Sequence, residues 1–397
     1  MGKYLRIGIP FVFLIFLSNF WNIAGWIYTK GPIALDCLAF FFMVFAFYNR
    51  RSVETICKGS PYRKLVNYLC LSPFVMTFVK IIFTGEPFQT EVQASLVMCM
   101  TFSMFYYLSK KRITERQCIC LMLAFGIITF LLQVYQLNHL DNRLFGFNEE
   151  GGSGTRNDMA RLAIGAPLHS VFLLYFFWSN LIKAKGVLRL WLFVGFSMFA
   201  VSLYLYLTRQ YLVAVLVTIV VSVLIQNNMR LKIAAIVLCC VLAIGLYNYY
   251  EVLFGDLIYI SQHDTYSTDI RQKAYPYFIN LIFSDPIRAI IGHGHIASIS
   301  NIGVTKGLWA IDIGIIGDMY HYGILWGVAY FWMLIKTWKN RKVLPLYIKL
   351  YVLSTLIHSP MASAYVYGPT AFIWTIVIYI SMLRTTQSPL VDKTQTT

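Results

Sequence analysis

About twelve apolar runs follow one another along the 397-residue chain, most close to the roughly 20 residues that a helix needs to cross a hydrocarbon core. They occupy residues 7–28, 33–48, 65–84, 92–108, 117–136, 162–182, 190–207, 211–226, 233–249, 311–335, 344–358 and 370–383. The second, eleventh and twelfth are short. Between them the chain is 58% hydrophobic and 13% charged, whereas soluble domains run at about 45–50% and about 25%. A soluble fold must cover its surface with polar groups, and this chain lacks them. The expected fold is therefore an all-α polytopic membrane protein of about 12 transmembrane helices. The first run leads directly into a second, so a cleavable signal peptide is not required.

Charge gives the runs a direction. Lys and Arg number 33 against 17 Asp and Glu, a formal net charge of +16. Such a balance suits nucleic acid as well as membranes, but its distribution favours the membrane. The basic residues gather before the first run and in alternate gaps: Arg50, Arg51, Lys58, Arg63 and Lys64; Lys110, Lys111, Arg112 and Arg116; Lys183, Lys185 and Arg189; Arg230 and Lys232; Lys336, Lys339, Arg341 and Lys342. The other gaps hold most of the carboxylates. Positive residues mark cytoplasmic loops, so both termini are expected in the cytoplasm, and no nucleic-acid partner is expected.

This orientation divides the chain into spans one to nine with short loops (1–249), a large extracytoplasmic loop (250–310), spans ten to twelve (311–384) and a cytoplasmic tail (385–397). The loop at 137–161 is rich in Gly, Ser and Asn, which predicts a flexible segment. The larger loop reads as partly helical. Residues 268–283 place apolar side chains near helical spacing, and Asp285-Pro286 supplies a stop. A glycine-rich turn follows at Gly292–His295. A loop of this length in an otherwise compact membrane protein usually has a role.

Seven of the eight cysteines, Cys37, Cys70, Cys99, Cys118, Cys120, Cys239 and Cys240, lie in or beside apolar runs, and Cys57 lies in a basic loop. With no CxxC pair, they read as small packing residues rather than a disulfide framework or zinc cluster. No metal or other cofactor is expected.

Cations on the outer side run against the positive-inside bias and are the informative ones. Arg209 sits between two runs with almost no loop, where it is either an interface anchor or a ligand for phosphate, which a guanidinium grips with two parallel hydrogen bonds. Arg271 and Lys273 form a cationic pair ahead of Arg288, unless they simply cover a solvated helix face. Arg156 and Arg161 precede the sixth run, where they bind either headgroups or substrate. The tenth run opens with Asp312 and Asp318 six residues apart, then His321. On one continuous helix Asp318 and His321 share a face, with Asp312 about 120° away. Carboxylates at an apolar edge are costly unless paired or wet. They serve either as structural ion partners or as a general base tuned by burial and a neighbouring Arg. His293 is a further base candidate. Lys80 and His358 read as packing or snorkelling residues.

Three segments resemble the bacterial O-antigen polymerase and O-antigen ligase superfamily. LTRQYLVAVL at 207–216 is similar to its Arg-then-apolar-span element. RQKAYPYFINLIFSDPIRAIIGHG at 271–294 is similar to its loop of Arg, aromatics, Pro and Gly-x-Gly. DIGIIGDMYHYGILWG at 312–327 is similar to the start of its next span. Ligases of the superfamily typically carry His followed by a small polar residue where this chain has Asp312, a departure that favours polymerisation.

The resemblance implies metal-independent glycosyl transfer at the periplasmic face of the bacterial inner membrane. The substrates it implies are undecaprenyl-pyrophosphate-linked oligosaccharides, and the protein partner is a chain-length regulator. Arg209 and Arg271 would stabilise the departing pyrophosphate, and Asp312 would be the base, with Asp318, His321 and His293 behind it. Arg156, Arg161, Lys273 and Arg288 would assist binding. The alternatives are a ligase, a flippase for lipid-linked oligosaccharide, or a membrane acyltransferase. A flippase would be expected to show internal repeats, and an acyltransferase a clearly placed His.

Overall fold

The computed structural model describes residues 2–18, 27–57, 60, 62–84, 101–139, 155–156, 159–160, 164, 166–206, 209–225, 265–293, 307–308, 310–360 and 368–394. These residues are almost entirely helical. In chain order they form α1 (Gly2–Leu17), α2 (Ile27–Ile56), α3 (Tyr62–Thr84), α4 (residues 101–110), α5 (Glu115–Leu137), α6 (Pro167–Leu181), α7 (Val187–Leu205) and α8 (Arg209–Leu224). They continue with α9 (Thr265–Ser284), α10 (Pro286–Ile291), a 3₁₀ turn (Ala310–Ile313), α11 (Gly314–Tyr322), α12 (Ile324–Lys339), α13 (Leu346–His358) and α14 (Gly368–Thr394). One antiparallel ladder pairs β1 (Thr155–Arg156) with β2 (Met159–Ala160). Two helices among the described residues, α5 and α7, are long and apolar enough to cross a membrane.

Local chemistry sets several boundaries. Thr114 and Gln117 form a capping box: the Gln117 amide donates to Thr114 Oγ1 at 3.3 Å, and the Thr114 amide to Gln117 Oε1 at 2.9 Å. Pro167 and Pro286 open α6 and α10, where a missing N–H costs nothing. The expected helix over 268–283 runs from Thr265 to Ser284, and a new helix begins after Asp285.

Several expected runs differ from the structure; the second, expected over 33–48, extends from Ile27 to Ile56 and takes Arg50 and Arg51 into the helix. Of the first run, expected over 7–28, α1 covers the part up to Leu17 and α2 begins at Ile27, while residues 19–26 lie outside the described residues. The last run continues through Thr394, past the expected boundary at 384. The tenth run, expected as one span over 311–335, is divided into the 3₁₀ turn, α11 and α12. The ninth run and most of the loop at 137–161 lie outside the described residues.

The main core is built around α14, whose residues 371–382 are all buried. Trp374 packs edge-on against Tyr351 of α13 at 5.1 Å, and the Tyr379 hydroxyl donates to Ile113 O at 2.6 Å. α13 in turn packs on α6 and α8, and α12 on α3. Glu115 joins three helices: Arg384 donates to both carboxylate oxygens at 2.6 and 3.0 Å, and the Tyr347 hydroxyl donates to Oε1 at 2.8 Å. A smaller second core holds Ala274, Phe278, Ile282, Ala289, Leu308, Ala310, Ile313 and Tyr320. It seats the α9–α10 hairpin on α11.

Candidate functional site

Ala274, Phe278 and Ile282 recur every fourth residue on α9, so they form one stripe, and this stripe is buried. It rests on the 3₁₀ turn and α11. Beyond α9, Asp285 caps α10 by accepting from the amides of Ile287 at 2.9 Å and Arg288 at 3.4 Å. α10 ends at Gly292, where φ is +84°. The following amide, of His293, donates to Tyr320 O at 2.7 Å.

The opposite wall is the break in the tenth run. α11 ends at Gly323, also with φ of +84°, and its amide donates to Met319 O at 2.8 Å. A Cβ on Gly292 would lie 2.7 Å from Gly323 N and collide with His321 O. A Cβ on Gly323 would lie 2.9 Å from Gly292 N and collide with Ile290 O. Backbone meets backbone here, and only glycine fits on either side.

Side chains fill the space beside this seam. The His293 ring is buried and stacks on Tyr320, with centroids 4.8 Å apart at 11°, and its Nε2 lies 3.1 Å from Leu281 O. Tyr320 meets Phe278 edge-on at 4.8 Å. Asp318 and His321 sit almost one turn apart on α11 and are 2% and 6% exposed. Asp312 lies on the 3₁₀ turn and is half-buried. The helical-wheel relation of Asp312 to Asp318 expected from spacing therefore does not hold, because the two residues belong to different elements. The cause lies across the fold: Ser359 O takes the amide of Ile315 at 2.9 Å, and a Cβ on Gly314 would collide with that oxygen.

The C-terminal end of α13 is the second meeting point. Besides Ser359, it offers Pro360 O, which accepts from the Tyr275 hydroxyl, and the His358 ring, which Tyr211 meets edge-on at 4.9 Å. Tyr211 lies two residues beyond Arg209 in the first turn of α8. Arg271 lies one turn before Tyr275 on α9 and is half-buried. Burial pushes the Tyr275 hydroxyl pKa upward, against a smaller lowering by the Arg271 guanidinium. Thus the chain positions of Arg209 and Arg271 and the 3₁₀ turn with Asp312 converge around residues 358–360. The structure places Arg209 by its backbone; its side chain lies outside the described residues.

The other candidates are placed differently. Arg288 of α10 forms an ion pair at 3.7 Å with Asp285, the residue that caps the helix. Lys273 is exposed on α9, off the buried stripe. Arg156 belongs to the short ladder, with its side chain outside the described residues, as is Arg161. Tyr275, Tyr320 and His358 were not legible as site residues. An aromatic or a lone His in an apolar stretch looks like core, and the partners that place these three, Pro360, His293 and Tyr211, are distant in sequence.

Neither a protein-family model nor a curated protein matches the chain. The chemistry of the site is therefore read from the site itself. A buried carboxylate, Asp318, and two buried imidazoles, His293 and His321, stand where the helical hairpin docks on the broken helix, and the half-buried Arg271 lies on the first helix of the same hairpin. A carboxylate and imidazoles can take or give a proton, and a guanidinium can hold an anion.

Proposed function

We propose that the chain is a multi-pass inner-membrane polymerase that joins lipid-pyrophosphate-linked glycan repeat units at the outer face. The membrane part of this reading is supported by the first turns of α7, where Leu188, Leu190, Trp191 and Phe193, spread around the helix, are each more than half exposed. Apolar side chains in that density on a surface suit lipid, not water. The chemical part is carried by one observation: the α9–α10 hairpin, with Arg271, docks on the broken tenth run that bears Asp312, Asp318 and His321, beside the start of α8 with Arg209.

In the proposed reaction an acceptor sugar hydroxyl attacks the anomeric carbon of the donor glycan. The new carbon–oxygen bond forms as the bond to the pyrophosphate oxygen breaks, and that electron pair leaves with pyrophosphate. Arg209 and Arg271 stabilise the charge that builds there. Asp312 takes the hydroxyl proton. A half-buried position suits a base, because it keeps water access while limiting solvation.

Disruption of the gene in its host tests the reading against its rivals. A polymerase loss leaves single repeat units on the surface glycan. A ligase loss leaves long lipid-linked polymer and a bare acceptor. A transporter loss leaves single lipid-linked units inside the cell. Either of the last two patterns overturns the proposal.

A further inference from the structure

Away from this junction, α2, α3 and α4 enclose a cleft of about 470 Å³, a volume in the range of small-molecule sites. Its walls are apolar. Phe40 and Leu71 line it at 55% and 52% exposure, and Phe47 stands 80% exposed at its margin. Its floor is polar, where the Tyr106 hydroxyl donates to Asn67 Oδ1. One cation, Arg50, belongs to the lining. Arg50 lies 3.3 Å from Glu54, which Arg63 also approaches at 3.9 Å, so two guanidinium groups share one carboxylate and the rim keeps a positive charge. The Lys110 ammonium, on α4, donates to Ser52 Oγ at 2.6 Å and brings a further charge to the same end of α2.

We propose that this cleft binds one anionic phospholipid, with an acyl chain between α2 and α3 and the phosphate at Arg50. The charge complementarity selects the occupant. A neutral apolar ligand would use the walls but leave the cationic rim unused, whereas a lipid phosphate uses both. Arg50 stands among the basic residues that mark cytoplasmic loops, so the lipid comes from the cytoplasmic leaflet. This assignment rests on the membrane reading above and not on glycan transfer.

The test uses the full-length protein in lipid nanodiscs doped with phosphatidylglycerol that carries a photoreactive group on its acyl chain. Phosphatidylcholine with the same group is the comparison. Phosphatidylglycerol is expected to label residues 40–48 and 67–71 more heavily than the exposed residues among 187–194 of α7, and phosphatidylcholine is not. Arg50→Ala is expected to reduce that labelling roughly fivefold, since one surface cation contributes about that much to anionic-lipid binding. Lys185→Ala, an exposed cation outside the cleft, is expected to leave it unchanged. Even labelling of every lipid-facing helix overturns the site, as does equal loss in both variants or no loss in Arg50→Ala. A chain that does not enter nanodiscs overturns the membrane reading and the lipid site together.

Discussion

Gly292 and Gly323 lie back to back with the same φ of +84°, although 31 residues separate them in sequence. The contact joins the end of α10 to the break between α11 and α12. Gly292→Ala would place a methyl group against His321 O, in a backbone region that side chains rarely adopt. A cost on the order of 1–3 kcal/mol is expected. Hydrogen–deuterium exchange should show α9 and α10 opening faster while α13 is unchanged. Wild-type exchange in α9 and α10 would mean that the seam does not hold the hairpin.

The guanidinium groups supply the second prediction. Arg209→Ala and Arg271→Ala should each abolish long glycan without removing the protein from the membrane. Lys should restore only part of the activity, because an ammonium lacks the two-pronged donor geometry of a guanidinium. Normal polymer ladders in both Ala variants would reduce these residues to interface anchors.

Asp312→Asn keeps the size of the side chain and removes its basicity. If Asp312 accepts the hydroxyl proton, specific activity of the purified protein on lipid-linked repeat units should fall by about 10²–10⁴-fold. A structural Asp312 gives another result, less protein in the membrane with normal activity per molecule. That outcome would transfer the role to Asp318, His321 or His293.

Tyr275 gives a pH prediction. Its hydroxyl donates to Pro360 O, and burial raises its pKa above the ordinary value of 10.0. A raised pKa favours the protonated donor in the folded state, so its contribution is fully present below about pH 10. It is lost as pH climbs through the higher folded value. Attachment of α9 should therefore not vary through Tyr275 across neutral pH, and should weaken above about pH 10. Tyr275→Phe should remove that alkaline dependence; an unchanged alkaline profile in this variant would assign it to another group.

The helical class was legible in the sequence because apolar runs and capping chemistry are local. The same is true of α9, whose buried stripe at 274, 278 and 282 and following Asp285-Pro286 stop are written in adjacent residues. The break at Gly323 was not legible. A single glycine in an apolar run is ordinary, and its conformation here depends on Gly292 across the seam. Asp312 was misplaced on a helical wheel for a related reason: the carbonyl of Ser359, 44 residues downstream of Ile315, takes an amide that a continuous helix would have used itself. His358 read only as a packing or snorkelling residue, since its partner Tyr211 lies far upstream.

α13 is anchored at both ends. Tyr347, in its first turn, reaches Glu115 alongside Arg384, and its last residues receive Tyr211, Ile315 and Tyr275. A helix of 13 residues is a stiff rod of about 20 Å. It therefore acts as a strut, and the Glu115 knot and the candidate site are mechanically one body. A tilt imposed where Arg384 grips Glu115 reaches the carbonyls of Ser359 and Pro360 with little damping. The geometry around Arg271 and Asp312 is thus fixed in part from the opposite end of the bundle.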